Sequence, residues 1–172
     1  MRNNILLSAL SISLLAIVAC TPASPSGGNA MEKDAMMAKP VHILMTAADI
    51  SWVDAPPVLP VGAKIAVLEG DPSKPGPFTL RLQFPANYKI APHSHPADEH
   101  VTVISGSFAR GMGDVFDESK LEELGPGGFA MMQTGANHFA WSKDGAVVQL
   151  HGIGPWGLTY VNAADDPRNA TK

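Results

Sequence analysis

From about residue 41 onward, Gly and Pro cut the chain into short runs of alternating apolar residues. This punctuation constrains the fold more than any other feature. Phe78, Leu80, Leu82 and Phe84 alternate with Thr79, Arg81 and Gln83, the period of a half-buried strand. Similar runs lie at Lys64 to Leu68, Val101 to Ile104, Phe108 to Met112, Phe129 to Met132, Ala146 to Leu150 and Leu158 to Val161. Between them stand Asp71-Pro72, Pro75-Gly76-Pro77, Ser105-Gly106, Gly125-Pro126-Gly127-Gly128 and Asp144-Gly145, residue types that set or tolerate the dihedrals of tight turns. No long 3.6-residue period occurs. Only Asp114 to Leu124 suggests one or two helical turns, through Glu118, Lys120, Leu121 and Leu124. The pattern predicts an all-β domain, a closed barrel or jelly roll.

The 172 residues suffice for one sizeable core and are too few for two ordinary domains. A 45% hydrophobic content excludes disorder throughout. The net charge of −4 leaves no basic footprint for nucleic acid. The single cysteine, Cys20, excludes internal disulfides and any zinc site built on several thiolates.

Residues 1–19 read as a secretory signal. Arg2 precedes an apolar stretch from Ile5 to Ala19, shorter than the roughly 20 residues needed to cross a bilayer. Its end, Ile17-Val18-Ala19-Cys20, resembles a bacterial lipobox. That resemblance implies cleavage before Cys20, lipidation there, and a protein held on a membrane of the bacterial cell envelope, facing the periplasm or exterior. Several acyl chains anchor a protein stably. Residues 20–40, with Pro22, Pro25, Gly27 and Gly28 and no alternating pattern, read as a flexible linker. The barrel domain is expected over residues 41–165 and a short tail over 166–172. Met31, Met36 and Met37 lie in the linker without a histidine, which argues against a soft copper site there.

The chemistry concentrates in His93-Ser94-His95-Pro96-Ala97-Asp98-Glu99. On a strand His93 and His95 project from one face, about 7 Å apart. Pro96 then ends regular pairing and Asp98 favours a turn, so Glu99 can return to the same side. Two imidazoles and a carboxylate suit a first-row divalent metal. A second hairpin arm begins at Gly135-Ala136-Asn137-His138, and His138 can supply a fourth ligand.

These residues resemble the cupin superfamily. Its first motif, His-x-His, three or four residues, Glu, six residues, Gly, fits His93, His95, Glu99 and Gly106. Its second, Gly, five residues, Pro-x-Gly, two residues, His, three residues, Asn, fits at Gly127, Gly135 and His138. Asn87, Gln133 and Ser142 stand where the pattern has Gly, Pro and Asn. They affect turns rather than ligands, and Asn tolerates left-handed geometry. The resemblance implies a cupin-type double-stranded β-helix, a jelly-roll barrel holding Fe, Mn, Ni, Cu or Zn on His93, His95, Glu99 and His138. It also implies a metal-dependent enzyme, of oxygenase type or an isomerase, on a small organic molecule, with Glu99 able to accept a proton. The alternative is a non-catalytic metal- or ligand-sensing module. Barrel edges and the resemblance are compatible with a homodimer.

The remaining candidates are substrate contacts. Gln149 and His151 share one face of their strand, opposite Val148 and Leu150. They face the cavity if the valine and leucine pack outward. Arg110 can pair with an anionic substrate or form a surface salt bridge. Trp141 is a pocket or core residue. His100, next to Glu99, is expected to face outward, and His42 is uninformative.

Overall fold

The computed structural model describes residues 42–170. The expected signal, Cys20 and the linker lie outside the described residues. Eleven strands form among those described: β1 (Val53–Asp54), β2 (Lys64–Glu69), β3 (Gly76–Phe84), β4 (Tyr88–Ser94), β5 (Glu99–Gly106), β6 (Phe108–Met112), β7 (Glu122–Leu124), β8 (Phe129–Met132), β9 (His138–Ser142), β10 (Ala146–Gly154) and β11 (Thr159–Tyr160). All pairings are antiparallel. One sheet has the order β1-β2-β3-β10-β5-β8 and the other β11-β4-β9-β6-β7, the two-layer arrangement of a jelly roll.

The period-two pattern decides which face is buried. Phe78, Leu80, Leu82 and Phe84 of β3 are buried, while the residues between them are half-buried or exposed. Beside them on the same face of this sheet are Val148, Leu150, Val101 and Val103 of β10 and β5, and Tyr88, Ile90, Phe108 and Ala140 come from the other sheet. Each such aliphatic or aromatic side chain contributes about 1.5–3 kcal/mol through burial. At one end of the barrel Phe84 stacks on Tyr88 with centroids 5.0 Å apart and on Phe108 at 5.8 Å. The histidines of β4 and β9 lie toward the strand ends away from this aromatic plug.

Two turn positions show why particular residues stand there. Asn87, in the place of the motif's glycine, has φ of 59°, the left-handed region that Asn enters more readily than most residues. Its Oδ1 accepts a hydrogen bond from Trp141 Nε1 at 3.1 Å. Gly106 has φ of 74°, and a Cβ there would lie 2.1 Å from the Gly145 carbonyl oxygen. The β5–β6 turn passes that close to the β9–β10 turn.

The segment from Asp114 to Leu124 bears out one helical turn on a loop and departs from the expectation at its end. It holds one 3-10 turn, Glu118–Lys120, capped by the Asp117 carboxylate accepting from the Ser119 N–H. It then becomes β7, whose Leu124, Glu123 and Glu122 pair with Phe108, Ala109 and Arg110. The free edge of β6 offers backbone partners that a helical Glu122–Leu124 could not use. The loop ahead of β7 also covers the outer face of β9, where Phe116 lies 4.9 Å from Phe139 and Phe139 is completely buried.

Candidate metal centre

Three strand ends bring the motif residues together. His93 is the penultimate residue of β4 and pairs with His138, the first residue of β9. His95 follows β4 directly, and Glu99 opens β5. His93, His95, Glu99 and His138 are all buried, at 3%, 4%, 6% and 2% exposure. The ligand nitrogens of the three histidines lie within 4.8 Å of one another. Glu99 Oε2 lies 3.5 Å from His95 Nε2 and 3.7 Å from His138 Nε2.

The orientation of each ring is set by the backbone. His93 Nδ1 donates to the Ala91 carbonyl at 2.7 Å. His95 Nδ1 donates to Gly157 at 2.6 Å, and His138 Nδ1 to Ala136 at 2.9 Å. A carbonyl can only accept, so each Nδ1 carries the proton and each Nε2 is the coordinating nitrogen. This is the outer hydrogen bonding that metal-bound histidines require. Trp156 covers the site from the side, its indole stacked on His95 with centroids 4.6 Å apart.

Burial and mutual proximity shape the charge. The His93 imidazole is pushed down to about 3, by burial first and then by the neighbouring His138 and His95. Burial alone would raise the Glu99 carboxyl, but contacts with His138 and His95 outweigh it and hold it at about 2. For His95 burial acts downward and the Glu99 carboxylate overrides it, so its value is raised. Without a metal, then, Glu99 is anionic and favours the protonated form of the His95 ring beside it.

The residues fit a divalent first-row ion. His95 Nε2 is buried and lacks a close hydrogen-bond partner, the Glu99 carboxylate standing 3.5 Å away. An unpartnered buried nitrogen costs free energy. A cation held by the three imidazole nitrogens would remove that cost. Beside these residues lies a cavity of about 30 Å³, walled by aliphatic and aromatic side chains and by Arg110. That is room for one water-sized molecule.

The substrate candidates distribute differently. Arg110 lines the cavity. Its Nε is buried without a partner, while Nη1 donates to Met112 Sδ at 3.1 Å and Nη2 approaches Glu122 only to 4.0 Å. Gln149 and His151 point out of the barrel, contrary to the expected cavity-facing orientation. Val148 and Leu150 occupy the interior, at 1% and 2% exposure. Gln149 accepts from Arg81 Nε on the outer face, and His151 is exposed. Trp141 also faces outward, with Lys89 Nζ 4.5 Å above its ring. His100 faces outward as expected.

Two contributors escaped the reading of the sequence. Trp156 and the Gly157 carbonyl both act on His95 from more than sixty residues away. The only sequence signal there is one aromatic set among turn residues, Gly154-Pro155-Trp156-Gly157.

A family model described as the ChrR cupin-like domain matches residues 40–155. No curated protein matches the sequence. Among solved structures the chain is similar to the polyketide cyclase RemF from Streptomyces resistomycificus, at 20% identity, covering 76% of this chain and 90% of that one, with a TM-score of 0.56. It is similar to an RmlC-like cupin from Shewanella frigidimarina NCIMB 400, at 14% identity, over 66% and 91% of the two chains, with a TM-score of 0.51. KdgF from Halomonas sp. matches at 17% identity, over 66% and 96%, with a TM-score of 0.50. At these identities the likeness is one of fold.

Proposed function

Because the chain belongs to the ChrR cupin-like domain family, we propose that it is a divalent-metal protein acting on a small oxygen-bearing anion, with chemistry of the oxygenase type. The observation that carries this reading is the set of Nδ1 anchors, which presents three Nε2 atoms beside Glu99 in a closed barrel. His93, His95 and His138 would hold the ion, with Glu99 as a fourth donor. Fe, Mn, Ni, Cu and Zn are all compatible with this N/O donor set. The ion, when bound, supplies Lewis-acid activation of a coordinated oxygen.

The protein's own groups do the rest. Glu99, once released from one contact, can take a proton on Oε2 from a bound ligand. The Arg110 guanidinium adds a fixed positive charge to the cavity and favours an anionic oxygen. The apolar wall of Leu82, Val101, Phe108 and Val148 excludes bulk water and strengthens both electrostatic contacts. The stretch ending at Cys20 supports an extracytoplasmic, lipid-anchored location.

The size of the cavity favours a second reading, a non-catalytic metal- or ligand-sensing module, since about 30 Å³ does not admit an organic substrate without rearrangement. One experiment separates the two. The protein is loaded with each metal in turn and assayed for dioxygen uptake with a panel of small carboxylates and 1,3-dicarbonyls. Turnover that is lost in Arg110→Met supports the enzyme. Stoichiometric metal with no turnover on any compound supports the sensor. Unchanged metal content in His95→Ala would sink both.

A further inference from the structure

We propose that the outer face of the six-stranded sheet carries a second, exchangeable metal site, a copper site formed by His100, His151 and Met131. The residues lie in one row across three strands. His151 of β10 pairs with His100 of β5, and His100 pairs with Met131 of β8. Directly opposed side chains on antiparallel strands have Cβ atoms about 4.5–5.5 Å apart. All three point outward, because the residues beside them in the chain, Leu150, Glu99, Val101, Ala130 and Met132, are buried.

The two imidazoles are already together. Their centroids lie 4.9 Å apart and their planes within 14° of parallel. Two imidazole nitrogens on one ion sit roughly 3–4 Å from each other, given metal–nitrogen distances near 2 Å. The remaining gap closes by rotation about χ2, which is soft for histidine. His100 Nδ1 is buried with no hydrogen-bond partner, so no backbone anchor fixes this ring as the barrel histidines are fixed. Both rings border an open groove of about 770 Å³, wide enough for an ion to reach them from solvent. Met131 is 45% exposed and stands directly across from His100 on the neighbouring strand.

The donor set selects the metal. Two imidazoles and one thioether are too few and too soft for a structural zinc ion, which takes four ligands. Cu(I) accepts thioether sulfur and low coordination, and copper heads the affinity order for nitrogen sites. This site is independent of the barrel centre. Glu99 and His100 are neighbours in the chain but lie on opposite faces of β5.

The test uses the full chain, the barrel centre of the wild type and of the outer-face variants being first loaded with zinc. Cu(I) is then titrated in competition with bicinchoninate. One equivalent of Cu(I) is expected. His151→Ala, an exposed position that does not threaten folding, should weaken that equivalent by about tenfold or more, and Met131→Ala should weaken it less. His95→Ala should leave it in place. Wild-type affinity in His151→Ala overturns the proposal. So does loss of copper uptake in His95→Ala, because it assigns the copper to the barrel. X-ray absorption at the copper edge supplies a check that needs no variant. Nitrogen and sulfur scatterers together support the site, and a coordination sphere without sulfur overturns the part given to Met131.

Discussion

The histidines inside the barrel and those outside it are the same side chain under two regimes. His93, His95 and His138 each donate Nδ1 to a backbone carbonyl within 2.9 Å and are almost fully buried. His100 and His151 stack on each other, and the buried Nδ1 of His100 has no partner. Inside, the backbone chooses the tautomer and the ring plane before any ligand arrives. Outside, no backbone carbonyl holds the His100 Nδ1, and His151 is exposed to solvent. Preorganisation of this kind raises affinity and slows release, because less ordering remains to be done on binding. The strand pattern that separates the two groups is a single alternation, one residue in and the next out.

The comparison can be broken at its structural base first. Phe139 follows His138 on β9 and faces outward, yet it is completely buried under Phe116. Phe139→Ala should cost about 3–5 kcal/mol in denaturant unfolding. A cost near that of an ordinary surface residue would show that the loop does not cover β9. Next comes the anchored set itself. His95→Ala should lower metal content measured by elemental analysis by more than tenfold, and restoring metal in excess should not return it to one equivalent.

Acid should then distinguish inside from outside in the metal-free protein. His93 has a folded value near 3 against an ordinary 6.5, and Glu99 one near 2 against 4.5. The unfolded chain therefore binds more protons than the folded one in this range, and stability rises with pH. The contribution of His93 is complete above about 6.5 and is lost as pH falls toward 3; that of Glu99 is lost between about 4.5 and 2. His95, whose value is raised, acts the other way and stabilises below its ordinary range. Chemical denaturation of the metal-free protein across pH 7 to 4 should show falling stability, with a shallower slope in His93→Gln. An unchanged slope would remove His93 from the account.

Smaller effects sharpen the picture. Asn87→Ala places an ordinary side chain at φ 59° and should cost about 1–2 kcal/mol in thermal unfolding, while Asn87→Gly should be close to neutral. The smallest effect belongs outside the barrel. His151→Ala should change stability by no more than about 0.5 kcal/mol and leave the barrel metal content untouched. A measurable loss of barrel metal in that variant would mean that the two faces are coupled.

How much of this was legible in the chain depends on the length of the signal. The jelly roll follows from repeated period-two runs between turns, and the family motif supplies the spacing of His93, His95, Glu99 and His138. Orientation on β10 was not legible. Alternation divides Val148 and Leu150 from Gln149 and His151, but it does not say which pair is inside. The interior of this barrel around β3, β5 and β10 is apolar, so the valine and leucine take it. A strand as short as β7 carries too few residues to show a period, and it exists because β6 presents a free backbone edge. The β11 pairing was legible as the run Leu158 to Val161. Trp156 was hidden for another reason, since its role depends on a contact with His95 made only after the chain has closed the barrel.

The indole face laid against His95 at 4.6 Å has a practical corollary. Any paramagnetic or quenching ion held by that imidazole sits within reach of an intrinsic fluorophore, so the emission of Trp156 becomes an optical gauge of occupancy that needs no label. With the other two tryptophans, Trp52 and Trp141, accounted for by a Trp156→Phe control, loading and stripping of the centre can be followed in real time.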